Sequence, residues 1–212
     1  MKTKTFPVNP FEMNCYVYYD ETSGEGVIID PGAFAENEKK EIADFVTSNN
    51  IQIKYILNTH GHIDHILGNS WAKEIFKVPL YINKNDLPLL EKAVEQGEMY
   101  GLALTAPPQP DKFIEEGEEI KFDACTLDVI NTPGHSPGGV CFVDEKYKTI
   151  FAGDCIFHGS IGRTDLWMGD MDVLLNSIKG KVLKYADDFT IYPGHYEHTT
   201  IGEEKALNPF LQ

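Results

Sequence analysis

The sequence predicts an α/β or α+β fold in which helices cover β-sheets. Short runs rich in β-branched and aromatic residues recur between turn residues, and amphipathic stretches with a helical period alternate with them. Hydrophobic residues make up 42% and charged residues 24% of the chain, which is typical of a folded globular protein. We therefore expect one domain spanning residues 1–212, large enough to bury a substantial core.

Eight runs have the composition of strands bounded by turn residues. In chain order they are CYVYYD, GVIIDPG, KYILNTH, PLYIN, TLDVINTPGH, GGVCFVDE, KTIFAGD and FTIYPGH. Helical periodicity predicts helices over residues 36–48, 63–76 and 172–186, the last weakened by Gly180, and one more from Asp86. The prolines of residues 101–119 exclude a helix or a central strand, which leaves a surface connection or a loop lying over a site.

Charge and hydropathy exclude several classes of function. A formal net charge of −15 disfavours a nucleic-acid surface, because phosphate binding depends on clusters of Lys and Arg. No run is long enough to span a membrane, and the first residues lack the apolar core of a signal peptide, so we expect a cytoplasmic protein. The four cysteines form no CxxC pair and are predicted to be small buried residues: Cys15, Cys125, Cys141 and Cys155.

Four of the predicted strands run into a polar residue. They lead to His60, His135, Asp154 and His195 in turn. If these strands point the same way in packed sheets, their ends meet at one edge although the sequence separates them. Imidazole and carboxylate groups are ligands for zinc and iron, and loops at strand ends hold them rigidly.

The octapeptide NTHGHIDH concentrates three histidines and an aspartate in one short segment. In an extended loop His60 and His62 face the same way, with Gly61 relieving the crowding between them. Where the helix begins, successive residues diverge by about 100°, so Asp64 and His65 turn away from the first pair. The segment can therefore contribute to two neighbouring metal sites.

Each of these residues also has a purely structural interpretation. Asp64 suits the first turn of a helix, His135 suits a polar turn, and Asp154 suits the end of a strand. Their combination with the HxHxDH segment favours a metal site over these separate roles. His158 and His198 lie outside the pattern and are expected at the surface or behind the ligands.

Four motifs give the chain a resemblance to the metallo-β-lactamase superfamily. They are THGHIDH at 59–65, TPGHSPGG at 132–139, AGDCIF at 152–157 and YPGH at 192–195. The resemblance implies a four-layer αββα sandwich with metals at the sheet edge. It further implies one ion held by His60, His62 and His135, a second held by Asp64, His65 and His195, and Asp154 bridging the two.

Within that superfamily the segments GSIGRTDLWMGD and HTTIGEEKALNPFL resemble small glyoxalase II-like hydrolases. This implies a small-molecule substrate, a thioester such as an S-acylglutathione, and two zinc ions per chain, with iron or manganese compatible. A bridging hydroxide would attack the carbonyl, with Asp64 and Asp154 as the catalytic carboxylates. Full glyoxalase II enzymes have a C-terminal helical domain that supplies glutathione-binding residues. Since the sequence continues for seventeen residues past His195, we do not expect that domain here.

Other branches of the superfamily provide alternatives. A mononuclear iron persulfide dioxygenase would use His60, His135 and Asp154 as a facial triad. Exported β-lactamases match less well, since they commonly have a cysteine ligand where this chain has Asp154. Nucleases need a basic RNA surface. A non-catalytic metal-binding module needs four ligands rather than the seven candidates of this chain.

Five further residues are candidates to support the site or contact the substrate. Asp30 could fix a ligand imidazole or only shape its Asp-Pro-Gly turn. Arg163, the one arginine, could pair with Asp165 or meet an anionic substrate. Tyr100 and Tyr196 could shape the pocket or pack as partly buried residues. The oligomeric state is left open.

Overall fold

Two six-stranded sheets form the centre of the fold in a computed structural model that describes all residues 1–212. The first sheet contains, in spatial order, β1 (Lys2–Val8), β2 (Met13–Tyr19), β3 (Glu25–Ile29), β4 (Gln52–Leu57), β5 (Leu80–Asn83) and β6 (Lys112–Ile114). The second contains β7 (Glu119–Phe122), β8 (Cys125–Asn131), β9 (Val140–Asp144), β10 (Thr149–Gly153), β13 (Thr190–Pro193) and β14 (Thr199–Thr200). A small hairpin joins β11 (Ile156–Phe157) to β12 (Ser160–Ile161).

The central strands are apolar on both faces because each sheet is covered on both sides. Along β2, Cys15 and Val17 point to the outer helices, whereas Tyr16 and Tyr18 point to the second sheet. A strand buried on both faces reads as a continuous hydrophobic run rather than an alternating one. This explains why the run CYVYY predicts a strand although polar residues do not alternate along it.

Helices form the two outer layers. They are α1 (Glu36–Ser48), α2 (Ile63–Ile66), α3 (Asn69–Phe76), α4 (Leu87–Glu91), α5 (Ala93–Met99), α6 (Met171–Gly180) and α7 (Ile201–Leu207). One apolar cluster joins α1 and α3 to the first sheet, a second lies between the sheets, and a third joins α6 and α7 to the second sheet. The structure therefore confirms the αββα sandwich.

Three predicted helices are shorter or more broken than expected. The helix expected over residues 63–76 is two helices separated at Gly68, where a Cβ atom would lie 2.2 Å from the Pro31 carbonyl oxygen. The helix expected over 172–186 ends at Gly180, consistent with the low helix propensity of glycine. The helix expected from Asp86 is a 3-10 turn followed by α4 and α5, which are interrupted at Lys92.

Other elements were not predicted at all. Strands β1, β7 and β14 and helix α7 are absent from the sequence-based assignment, although Thr200 and Glu203 form a capping box that marks the start of α7. The exclusion of a central strand from residues 101–119 is confirmed, since β6 follows the prolines and pairs only with β5 at the sheet edge. The prediction of a single domain stays a prediction.

All four cysteines are buried and unpaired, as expected from their spacing. No helix combines the length and apolar character needed to cross a membrane.

Candidate metal centre

The ends of four strands meet at one edge of the sandwich. In the second sheet β8, β10 and β13 point the same way, since β9 is antiparallel to both β8 and β10, and β10 is parallel to β13. Their loops bring His135, Asp154 and His195 to the edge where β4 of the first sheet delivers His60. The predicted convergence of the strand ends is confirmed.

Seven side chains from these loops form one His/Asp cluster. Three overlapping sets each offer donor atoms within 4.8 Å of one another. The first group, which is fully buried, is His60, His62 and His135. The second group, which is more open, is Asp64, His65 and His195. The remaining set is His60, His65 and Asp154.

The cluster has the features of a metal site. The Nε2 atoms of His60 and His65 and the Oδ1 atom of Asp154 are buried without any hydrogen-bond partner. Such orphaned polar atoms are costly in a protein interior unless a cation satisfies them. In addition, His62 Nδ1 lies 2.7 Å from His135 Nε2, a separation at which two lone pairs repel unless a proton or cation lies between them. The nitrogen and carboxylate donors fit zinc or iron.

Hydrogen bonds fix the rings of four histidines so that each presents Nε2 to the cluster. His135 Nδ1 donates to the Arg163 carbonyl at 2.7 Å, and His195 Nδ1 donates to the Phe11 carbonyl at 3.1 Å. His65 Nδ1 donates to Asp30 Oδ2 at 2.9 Å, and His60 Nδ1 lies 3.1 Å from Thr59 Oγ1. Fixing the outer nitrogen in this way sets the tautomer of a ligand histidine and its orientation.

Asp30 does more than shape a turn. Besides holding His65, its carboxylate accepts hydrogen bonds from the Thr59 backbone N–H at 2.7 Å and from Thr59 Oγ1 at 2.6 Å. Its φ of 48° lies in the left-handed region that favours glycine. The chain therefore has a carboxylate at a position where the backbone conformation alone would favour glycine.

Asp86 supports the other side of the cluster, and the sequence analysis missed it. The fully buried carboxylate accepts from the Gly61 N–H at 2.8 Å, from Ser136 Oγ at 2.8 Å and from the Gly138 N–H at 2.5 Å. It thus links the His60–His62 loop to the loop that carries His135. The sequence position of Asp86 could have indicated this role, because Asp86 closely follows β5 at the same sheet edge. The helical pattern instead predicted a continuous helix there.

The pKa values of histidines in the two groups are shifted in opposite directions. Burial and the neighbouring histidines lower the pKa of His60 well below its usual value, and burial together with His135 lowers the pKa of His62 to about 3. Burial alone would also lower the pKa of His65, but the carboxylates of Asp154 and Asp64 outweigh it and raise the pKa. Burial would also lower the pKa of His195, but the hydrogen bond with Asp64 outweighs burial, and the pKa is raised.

A cavity of about 550 Å³ opens onto the cluster. Asp64, Asp154 and His195 line it, together with residues of α4 and α5 and with Arg163, Leu166 and Trp167. A concave, mostly apolar pocket with a few converging polar groups is typical of a small-molecule site. Residues 101–119 do not line this cavity, so that stretch is a surface connection rather than a loop over the site.

The remaining candidates occupy the mouth of the cavity or lie outside it. Arg163 forms a two-pronged ion pair with Asp165, with both N···O distances 2.9 Å, which is the structural interpretation of the pair. Arg163 also lines the cavity, whereas Asp165 does not. Tyr100 and Tyr196 both line the cavity and are well exposed. His158 is at the surface, hydrogen-bonded to Glu197 at 2.9 Å.

An αββα sandwich with a His/Asp cluster at one edge defines the class of metallo-β-lactamase-fold proteins. Residues 8–195 match the sequence model of the metallo-beta-lactamase superfamily, and the chain belongs to that superfamily. This confirms the family inferred from the four motifs.

Relatives named for two different activities match nearly the whole chain. The hydroxyacylglutathione hydrolase GloC of Haemophilus influenzae is 38% identical over 100% of this chain and 98% of its own length. The human mitochondrial persulfide dioxygenase ETHE1 is 30% identical over 92% of this chain and 70% of its own.

Solved structures agree on the fold. The BLEG-1 B3 metallo-β-lactamase superposes with a TM-score of 0.91 at 33% identity, and a protein crystallised in a di-iron-bound form superposes with a TM-score of 0.85 at 36% identity. Both matches cover 100% of each chain. The β-lactamase similarity is stronger than the sequence motifs indicated.

Proposed function

We propose that this protein is a metal-dependent hydrolase that cleaves a thioester, such as an S-acylglutathione, at a two-ion centre. One observation carries the proposal. Asp154 lies between the two groups, with Oδ1 3.3 Å from His65 Nε2 and Oδ2 3.4 Å from His135 Nε2. One carboxylate that faces both groups suits a bridge between two ions. The similarity to a hydroxyacylglutathione hydrolase supports the thioester.

The first group would hold one ion and the second group the other, with zinc as the expected metal and iron or manganese compatible with the same donors. When bound, a pair of ions supplies hydroxide near neutral pH and polarises the carbonyl oxygen of the substrate. No serine or cysteine nucleophile is then needed, in keeping with the burial of every cysteine.

The side chains handle protons and position the substrate. As water adds to the acyl carbon and the carbon–sulfur bond breaks, the products are a carboxylate, a thiol and one proton. Asp64 lines the cavity with Oδ2 3.1 Å from His195 Nε2, so it is placed to accept that proton. A thiol with a pKa of about 8.5 leaves readily, whereas an amine leaving group requires a positioned acid.

A second candidate is a mononuclear iron enzyme that oxidises a persulfide with oxygen. It is favoured by the identity to a persulfide dioxygenase and by the proximity of His60, His135 and Asp154. A facial triad of two histidines and one carboxylate is the ligand set of such iron enzymes. The other histidines and Asp64 would then lie behind the ligands.

Metal analysis combined with anaerobic turnover separates the two functions. We expect about two metal ions per chain, mostly zinc, and hydrolysis of S-lactoylglutathione that continues without oxygen. About one iron per chain, with oxygen consumed when glutathione persulfide is added, would instead establish the dioxygenase. A chromogenic β-lactam belongs in the same panel, and its turnover in preference to every thioester would overturn the proposed substrate class.

A pair of histidine variants tests the site. His195→Gln should lose metal and at least about 100-fold in kcat/KM, because removing a ligand weakens both binding and activation. His158→Gln removes an exposed histidine that has a carboxylate partner of its own, and it should retain metal and activity. Equal activity in the two variants would contradict the assignment of the second group.

A further inference from the structure

Two cations line the cavity, and only one of them is free. Arg163 is neutralised by its two-pronged pair with Asp165. Lys92 takes part in none of the ion pairs of the structure. Glu95 lines the same wall one helical turn further along α5, yet it does not pair with Lys92. The Lys92 ammonium therefore lines the cavity without an ion-pair partner, although the Glu95 carboxylate lies on the same wall.

An aromatic ring holds that charge in place. The Lys92 ammonium lies 4.4 Å from the centroid of the Trp167 ring, and both side chains line the cavity. A cation over the face of a tryptophan is attracted by the ring without being neutralised. Because the ring covers only one side of the ammonium, its remaining donors can bind another group.

The position of Lys92 in the backbone does not account for this arrangement. A lysine at the end of a helix interacts favourably with the helix dipole, and Lys92 follows the last residue of α4. However, α4 has only five residues, and that role requires neither the cavity nor Trp167. Trp167 is also 49% exposed, which is unusual for a large aromatic side chain that serves packing alone.

The overall charge of the chain is unfavourable for an anionic substrate. The chain has a net charge of −15, which repels anions at long range. An ammonium without an ion-pair partner favours an anion close to it, because charges beyond about 8 Å are screened at physiological salt. A carboxylate is the group that this arrangement would attract.

We propose that Lys92, held over Trp167, is an anion-binding subsite for a carboxylate on the thioester substrate. The proposal rests on the thioester hydrolase function above and narrows it to anionic thioesters. Apolar residues of the cavity lining would contact the rest of the substrate, while the carboxylate binds Lys92 and the scissile carbonyl lies at the His/Asp cluster.

Matched substrates test this subsite by turnover. One pair consists of the acetyl thioesters of 3-mercaptopropionate and of its amide, which differ only in the charge on the thiol side. A second pair consists of succinyl and succinamoyl thioesters of N-acetylcysteamine, which differ on the acyl side. In at least one pair, we expect the anionic member to have a kcat/KM about tenfold higher, an advantage that weakens with added salt.

Variants separate the subsite from general charge effects. Lys92→Gln should bring the anionic and neutral members to equal kcat/KM, chiefly by lowering the value for the anionic member. Trp167→Leu, which keeps an apolar side chain, should reduce the preference to about threefold because the ammonium is no longer held. Lys84→Gln is the control, since it removes one exposed positive charge outside the cavity lining.

A binding measurement keeps this test independent of the reaction. The probes are 3-(benzylthio)propionate and its amide, which cannot be hydrolysed, titrated against the metal-loaded protein by calorimetry. Binding of the carboxylate about tenfold tighter than the amide, lost in Lys92→Gln only, supports the subsite. Equal binding in all variants overturns it even if thioesters are hydrolysed. Selective binding without any thioester hydrolysis overturns the proposed function and leaves the subsite intact.

Discussion

The first and second groups of the metal centre sit side by side but are built differently. The first group consists only of imidazoles, is buried throughout, and has a lowered pKa at His60 and His62. The second group mixes a carboxylate with imidazoles, opens onto the cavity, and has a raised pKa at His65 and His195. Burial therefore disfavours the charged form of His60 and His62, whereas the carboxylates beside His65 and His195 favour the charged form there.

The two groups are also supported differently. Asp30 holds the second group through a side chain, by accepting a hydrogen bond from the ring of His65. Asp86 holds the first group through the backbone, by accepting the N–H groups of Gly61 and Gly138 in two separate loops. A short ligand segment can serve two ions because Asp30 fixes its two ends, at Thr59 and His65, and Asp86 fixes Gly61 between them.

The largest expected effect comes from removing the residue that both groups share. Asp154→Ala should lower the metal content and reduce kcat/KM by about 10³-fold or more. A reduction of that size corresponds to the loss of several kcal/mol of transition-state stabilisation. The measurements are metal analysis and thioester hydrolysis on the same preparation. Full activity with a normal metal content would show that the two groups act without this link.

A substantial part of the site was predictable because it depends on residue types at strand ends. The motifs around His60, His135, Asp154 and His195 carry the donors, and strand direction brings them together. These features are local, and each can be inferred from a short segment of sequence. The two central sheets were predictable for the same reason, since their strands are continuous apolar runs.

The parts that were missed depend on packing between distant segments. The break at Gly68 follows from a close approach to Pro31, which no helical period reveals. Asp86 acts through backbone N–H groups 25 and 52 residues away along the chain. Edge strands such as β6 and β14 are too short for a periodic signal, and their pairing partners define them.

An intermediate effect should follow from cutting the backbone support of the first group. Asp86→Asn places an amide N–H against N–H and hydroxyl donors, so at least one of its three hydrogen bonds is lost. Metal affinity should fall by about 10- to 100-fold, as found when groups behind metal ligands are altered. Competition with a chromogenic chelator measures this affinity.

Asp144→Asn is the matched control for that variant. Asp144 is also buried and also accepts three hydrogen bonds, from Tyr18 Oη, Cys125 Sγ and the Tyr147 N–H, but at the opposite end of β9 from the metal centre. Both variants should lose about 1–3 kcal/mol of unfolding free energy. Only Asp86→Asn should lose metal affinity, and an equal loss in both would mean that Asp86 serves stability alone.

The smallest effect concerns the pH dependence of stability after metal removal, where the two groups should act with opposite signs. A folded-state pKa of about 3 at His62, below the unfolded value of about 6.5, means that acidification favours the unfolded chain. The raised pKa of His195 has the reverse effect, because its contribution is present below about pH 6.5 and is lost as the pH rises through the folded value. Metal-free His62→Gln should therefore lose less stability than the parent as the pH falls from about 7 to about 5. Metal-free His195→Gln should lose less stability than the parent as the pH rises above about 6.5. Denaturant midpoints across this range measure both slopes, and two variants with the same change in slope would show that the groups do not differ in protonation.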